Sequence, residues 1–265
     1  MGQYYRPTNI DKFESLYSHD FDNGLKLMEH SYIKNTFVKA VERLLSPKGP
    51  WHKCRLCWAG DYMEAGLFLP EGTPLKDDKG YDINLYSFAQ EKTPFNDSLT
   101  PERADDDSNY KKVKAAKAVA SKKWLKSLPR AGRYLVNHTK ELCIDLKAED
   151  VNERNQKGNR ILAIHPLPLL TCCGNGQGGG DYLGSKMNIV GTWAGDVISL
   201  ENKPMYALNI PIIFREKCDG GDVCEQYTFI NSEQKISAEK LRKEISKNKK
   251  EKDEFYKSDI VELMG

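Results

Sequence analysis

The chain has 265 residues, 39% of them hydrophobic and 29% charged, with a formal net charge of +2. That length can bury one large core or two small ones. No apolar run nears a membrane span, the polar and aromatic start Met1-Gly2-Gln3-Tyr4-Tyr5-Arg6-Pro7 reads against a secretory signal, and Arg6 stands where a myristoylation site has Ser or Thr. Seven cysteines, an odd number in a chain of this size, point to free thiols in a reducing, cytoplasmic setting.

In chain order, Gln3 to Arg6 reads as a strand, Asn9 to Lys12 as a turn and Phe13 to Tyr17 as a second strand. Ile33, Phe37, Val41, Leu44 and Leu45 fall on one face at helical spacing, stopped by Pro47 and Gly49. Cys54 to Trp58 reads as a strand ending in the turn Ala59-Gly60-Asp61. Residues 67–130 differ in character. They carry Asp77, Asp78, Asp97, Asp105, Asp106 and Asp107 and prolines at 70, 74, 94 and 101, then a Lys-rich helix whose apolar stripe is Val113, Ala116, Ala120 and Trp124. From Gly132 a strand, turn and strand recur: Arg133 to Val136, Asn137 to Lys140, Leu142 to Leu146. Leu167, Leu169 and Leu170 lie in a short helical segment between Pro166 and Gly174. Met187 to Trp193 reads as a strand ending in Ala194-Gly195-Asp196, followed by a hairpin of Met205 to Phe214 and Gln226 to Ile230. A charged helix from Ser237 closes the chain, anchored by Leu241, Ile245, Phe255, Ile260 and Leu263.

Trp-Ala-Gly-Asp thus occurs twice, at Trp58 to Asp61 and Trp193 to Asp196, and each Trp follows a histidine by 28 residues, His30 and His165. We read this as an internal duplication. The expected fold is α+β: two pseudo-symmetric ββαβ units sharing a mainly antiparallel or mixed sheet, with a helical insert and a charged C-terminal helix. The segments are 1–66, 67–130, 131–235 and 236–265, within one compact domain. The repeat-equivalent His30 and His165 are expected in structural roles, as caps or core hydrogen bonds.

Gly174-Asn175-Gly176-Gln177-Gly178-Gly179-Gly180-Asp181 is the candidate ligand-binding loop. Successive N–H groups without side chains can cradle phosphate or carboxylate. Gly174, Gly176 and Gly179 satisfy G-x-G-x-x-G, but no strand precedes them and no helix opens after them, so the dinucleotide reading fails. The alternative is a tight connection whose residues need positive φ. The matching stretch Glu42 to Pro50 has one glycine, so the loop is an addition to the repeat.

Asp61, Asp181 and Asp196 each follow a glycine and could serve as acid, base or cation ligand. For Asp61 and Asp196 the simpler expectation is a bond to their own turn. Asp181, Asp61 and His138 are the candidate catalytic residues. As a base, His138 needs a carboxylate or hydroxyl partner that the sequence does not place. Cys54, Cys57, Cys218 and Cys224 could supply four thiolates to zinc, but Cys54 and Cys57 on one strand point to opposite faces, so neither zinc nor another cofactor is expected. By the repeat alignment, Cys54 and Cys57 match Ile189 and Thr192. Lys111, Lys112, Lys114, Lys117, Lys122 and Lys123 form a candidate nucleic-acid surface, against the plainer reading of a solvated face.

The opening Met1-Gly2-Gln3-Tyr4-Tyr5, Trp58 to Tyr62, Leu135 to His138, and the run from His165 through Gly180-Asp181-Tyr182 to Asp196 resemble a group of bacterial, phage and fungal proteins. These share the start MGQYY or MGQYW and a GNGRGGGD loop. This chain has Gln177 where the group has Arg, removing a side chain suited to phosphate. The resemblance implies the fold unit and carries no activity with it.

Three functions are open. The first is a non-catalytic binding protein, such as an accessory or inhibitor factor of a phage or mobile element acting on a host protein or nucleic acid, for instance an RNA-guided defence complex. The second is an enzyme or ligand binder for a phosphate or nucleotide at Gly174 to Gly180. The third is a self-associating scaffold. No membrane partner is expected.

Overall fold

The computed structural model describes residues 2–91, 107–147, 164–178, 190–206, 208–217 and 223–231, without side chains at 91, 107–114, 208–217 and 223–231. The first hairpin pairs β1 (Tyr5–Asn9) with β2 (Glu14–Ser15), and the second pairs β5 (Tyr134–Asn137) with β6 (Leu142–Asp145), both antiparallel. Each turns on an asparagine, as its sequence suggests. Asn9 Oδ1 accepts from the N–H groups of Asp11 and Lys12 at 3.0 and 3.2 Å, and Asn137 Oδ1 accepts from that of Lys140 at 2.9 Å. Four residues after each asparagine comes a non-glycine at positive φ, Phe13 at 50° and Glu141 at 55°.

Helix α1 (Leu27–His30) leads to α2 (Thr36–Leu45), where Asn35 Oδ1 caps the N–H groups of Phe37 and Val38. Its Phe37, Val41, Leu44 and Leu45 are buried, as the helical spacing predicts, together with Val38, whereas Ile33 lies ahead of the helix and is half-buried. They pack on the sheet face formed by Leu56, Trp58, Leu135, Ile144, Ile198 and Leu200. Strand β3 (Cys54–Gly60) follows. After it come α3 (Leu85–Phe88), β4 (Gln90–Glu91), α4 (Asp107–Ser127), α5 (Pro166–Thr171), β7 (Cys172–Cys173), β8 (Val197–Glu201) and the hairpin β9 (Leu208–Lys217) with β10 (Val223–Asn231).

Among the described residues ten strands form one mixed, mainly antiparallel sheet, ordered β10-β9-β6-β5-β8-β3-β1-β2-β4 with β7 against β3. Its middle reads alike from either side: β6-β5-β8 meets β3-β1-β2, and β8 and β3 run antiparallel at the junction. This is the expected α+β class.

The turn expected at Ala59-Gly60-Asp61 begins later, because Ala59 and Gly60 are the last residues of β3, paired with Arg6 and Tyr5. Two further expectations need correction. The strand over Met187 to Trp193 does not form in its described part: residues 190–196 are turns, and the strand starts at Val197. Gly191 at φ 70° and Gly195 at φ 81° take a backbone that a strand excludes. Cys54 to Cys57 therefore has no strand counterpart at Thr192; residue 189 lies outside the described residues. On α4 the inner face is rotated from the expected stripe. Ser121 is buried, Ala116 and Ala120 are half-buried, and Lys117 turns inward to the buried Asp20, at 2.9 Å. Ser121 Oγ also donates to the Asp20 carbonyl, and Trp124 packs edge-on against Phe21. A buried carboxylate outweighs an alanine stripe, because leaving it unpaired would cost several kcal/mol, about 3 or more. No helix among the described residues is long and apolar enough to cross a membrane. The charged segment 236–265 lies outside the described residues.

Candidate functional site

The glycine loop packs on the start of the chain. Gln3 is fully buried, and Tyr5 Oη–H donates to its Oε1 at 2.9 Å. Both side chains cross β3 at Gly60, where a Cβ would stand 2.4 Å from Gln3 Nε2. Beyond it they meet the loop: a Cβ on Gly174 would lie 2.4 Å from Tyr5 Oη, and one on Gly178 2.3 Å from Gln3 Cβ. Gly176 sits at φ 66° in open space, and Asn175 Oδ1 accepts from the Gln177 N–H at 2.9 Å. Gly174 and Gly178 are thus glycines because Gln3 and Tyr5 fill their space, and Gly176 because its backbone turns. Gly179, Gly180 and Asp181 lie outside the described residues.

Asp61 sits beside this junction and Asp196 does not. Asp61 Oδ1 accepts from the Tyr4 N–H at 3.0 Å, and burial pushes its carboxyl above the usual range, against the pull of that N–H. Asp196 Oδ2 accepts from Asn137 Nδ2 at 2.7 Å and from Lys140 Nζ, fastening the second hairpin turn. Both carboxylates reach another element rather than serving only their own turn, which corrects the turn expectation.

The two repeated histidines are structural, by different bonds. Trp58 Nε1–H donates to His30 Nε2 at 2.9 Å, so His30 Nδ1–H donates to the Gly24 carbonyl at 3.0 Å. Burial pushes the His30 pKa down to about 4. His165 instead caps α5, its Nδ1 accepting from the Leu167 N–H at 3.1 Å, while Nε2–H donates to Glu42 at 3.0 Å.

His138 lies at the other end of β3 from Asp61. Its N–H bonds the Val197 carbonyl, and Val197 pairs with Arg55, six residues before Asp61 and roughly 20 Å from it along a strand. Here the structure supplies the hydroxyl partner directly, in Ser199, and a carboxylate one hydrogen bond further on, in Glu201. Ser199 Oγ–H donates to Glu201 Oε1 at 2.8 Å, so His138 Nε2–H donates to Ser199 Oγ at 2.8 Å. His52 Nε2 lies 2.8 Å from the same Glu201 oxygen. The lone pair of His138 Nδ1 accepts from Tyr206 Oη–H in a long hydrogen bond of 3.4 Å. Burial, then Lys53, lowers the His138 pKa against the pull of Glu201. These residues stand on the sheet face opposite α2, because Ile198 and Leu200 fill the core and Ser199 and Glu201 alternate away from it.

The remaining candidates are dispersed. Lys122 and Lys123 are exposed on α4, as is Lys126, whereas Lys117 is taken up by Asp20. Lys111, Lys112 and Lys114 lie on α4 without described side chains. Cys54 and Cys57 face opposite sides of the sheet in separate apolar clusters, and burial pushes the Cys54 thiol up to about 12 and raises that of Cys57. Cys218 and the side chain of Cys224 lie outside the described structure. Among the described residues no three His, Cys, Asp or Glu side chains are grouped to hold a metal ion. The chain matches no family model, no curated protein and no solved structure.

Proposed function

We propose that this protein binds nucleic acid by its phosphate backbone, along the outer face of α4. The supporting observation is the docking of that helix. Lys117 and Ser121 hold Asp20, Arg43 donates to the Leu125 carbonyl, and so Lys122, Lys123 and Lys126 point to solvent with Arg130 beyond them. A helix fixed in this way presents its charges in one row, where a free helix would not. This narrows the partner-binding expectation to one partner class. An accessory factor of a phage or mobile element acting on a host nucleoprotein is the setting we infer. The sheet order supports reading the two hairpin-and-strand halves as copies of one unit, with α4 added to it.

The test is fluorescence anisotropy with single-stranded RNA over a salt series. Binding should weaken steeply with salt. Replacing Lys122, Lys123 and Lys126 with Ala should flatten the log–log slope by about 0.7 for each phosphate no longer neutralised. Binding that ignores salt, or is unchanged in the triple variant, would overturn the reading.

A further inference from the structure

The basic row of α4 lies on the α2 side of the sheet and the His138 network on the other, and the chain after α4 passes the end of β8 that carries Glu201. Two residues after Arg130, Gly132 donates its N–H to Ser46 Oγ at 3.0 Å and packs so closely on β8 that a Cβ would lie 2.6 Å from Leu200 and 2.7 Å from the Glu201 nitrogen. Arg130 and Lys53 are exposed, His52 and His138 are each partly exposed, and the Lys53 charge is felt at His138. A nucleic acid that continues from the row around this strand end would meet two imidazoles joined through one carboxylate. Fully apolar residues would hold these strands together at less cost than a half-buried polar chain, and such chains with perturbed groups gather where chemistry is done.

We propose that His138 and His52 form a proton-transfer site that cleaves RNA by transesterification. The proposal rests on the nucleic-acid reading for delivery of the substrate. Ser199 is not free to act as the nucleophile, because it is fully buried and its hydroxyl is committed to Glu201 and His138. The nucleophile must come with the substrate, and RNA carries one in its 2′-hydroxyl. His138 Nδ1 takes the 2′-hydroxyl proton as the 2′-oxygen bonds to the adjacent phosphorus. The bond from phosphorus to the 5′-oxygen breaks, and protonated His52 gives a proton from Nδ1 to that oxygen. The products are a 2′,3′-cyclic phosphate and a 5′-hydroxyl end, and solvent restores both histidines. Lys53 brings positive charge to the phosphate. Glu201 is a positioning residue for His52 directly and, through Ser199, for His138.

The experiment uses the full chain, in EDTA, with a single-stranded RNA and its 2′-deoxy counterpart, followed by gel and by mass spectrometry of the ends. RNA should be cut to cyclic phosphate ends, while the deoxy strand is bound and left intact. His138→Asn and His52→Asn should each lower cleavage by about 100-fold or more while RNA anisotropy and the circular dichroism spectrum stay unchanged. Ser199→Ala should retain part of the activity and shift its pH profile. His19→Asn, at an exposed histidine, should cleave as the parent does. Two histidine positions are used so that misfolding of one variant leaves the other as the test. Bound but intact RNA would overturn the cleavage proposal and leave the α4 reading standing. RNA cut despite salt-insensitive binding would do the reverse, and RNA neither bound nor cut would overturn both. Cleavage of the deoxy strand, dependence on an added divalent cation, or activity surviving in both histidine variants would also reject the proposal.

Discussion

The two Trp-Ala-Gly-Asp segments share four residues and adopt different backbones. Trp58 to Gly60 are the last residues of β3, extended and paired with Tyr5 to Pro7. Trp193 to Asp196 form turns ahead of β8, with Gly195 at φ 81°. Both tryptophans are nevertheless buried, and the second segment docks on β3 two residues before the first: Gly195 N–H donates to Leu56 O at 2.8 Å and Leu56 N–H to Asp196 O at 3.1 Å. Identity over a tetrapeptide thus specifies burial of an indole and leaves the chain direction to the neighbours. Gly60 is needed for the side chains that cross it, and Gly195 for its dihedral angle.

Removing the indoles should have the largest effect. Trp58→Ala and Trp193→Ala should each cost about 4 kcal/mol in denaturant unfolding. Trp58→Phe is sharper, since it keeps an aromatic ring and leaves buried His30 Nε2 without its donor, for about 1–3 kcal/mol.

Next comes acid. The folded pKa of His30 lies below its unfolded value, so its contribution is complete above 6.5 and is lost as pH falls toward about 4. The loss over that window should be about 3 kcal/mol, and His30→Asn should abolish it; an equal loss in that variant would assign the effect elsewhere.

Smaller effects separate the glycines. Gly195→Ala places a Cβ 2.5 Å from the Phe68 ring at positive φ, and should cost about 1–3 kcal/mol. Gly60→Ala meets the Gln3 amide, and trimming that side chain with Gln3→Ala should relieve part of its cost, whereas it should not help Gly195→Ala. The smallest change is Asp196→Asn. It weakens an ion pair with the partly exposed Lys140 and should cost at most about 1 kcal/mol in thermal melts.

Much of the frame was legible. Asn9 and Asn137 announced the hairpins because an asparagine side chain closes a turn locally, and α2 was readable from apolar spacing because its buried face is continuous. The strand expected up to Trp193 misled because a glycine's φ is set by what surrounds it, and the turn expected at Ala59-Gly60 is strand because Arg6 and Tyr5 pair with it. The rotation of α4 was hidden because its cause is a carboxylate 97 residues away. The His138 network was half visible. Val-Ile-Ser-Leu-Glu alternates apolar and polar, which marks a strand with Ser199 and Glu201 on one face. Their partners are 61 and 149 residues distant and required the pairing of β8 with β5 and the return of the Trp51 to Lys53 turn.

The junction of β3 with β8 also has a kinetic meaning. Each hairpin closes a loop of a few residues, the work of microseconds. The junction rests on two residue pairs, Cys54 with Ile198 and Arg55 with Val197, and joins stretches separated by most of the chain. Loop closure on that scale is the slow, entropy-limited step. Ile198→Val should therefore speed unfolding and leave refolding unchanged, which would mark this seam as the last part of the sheet to form.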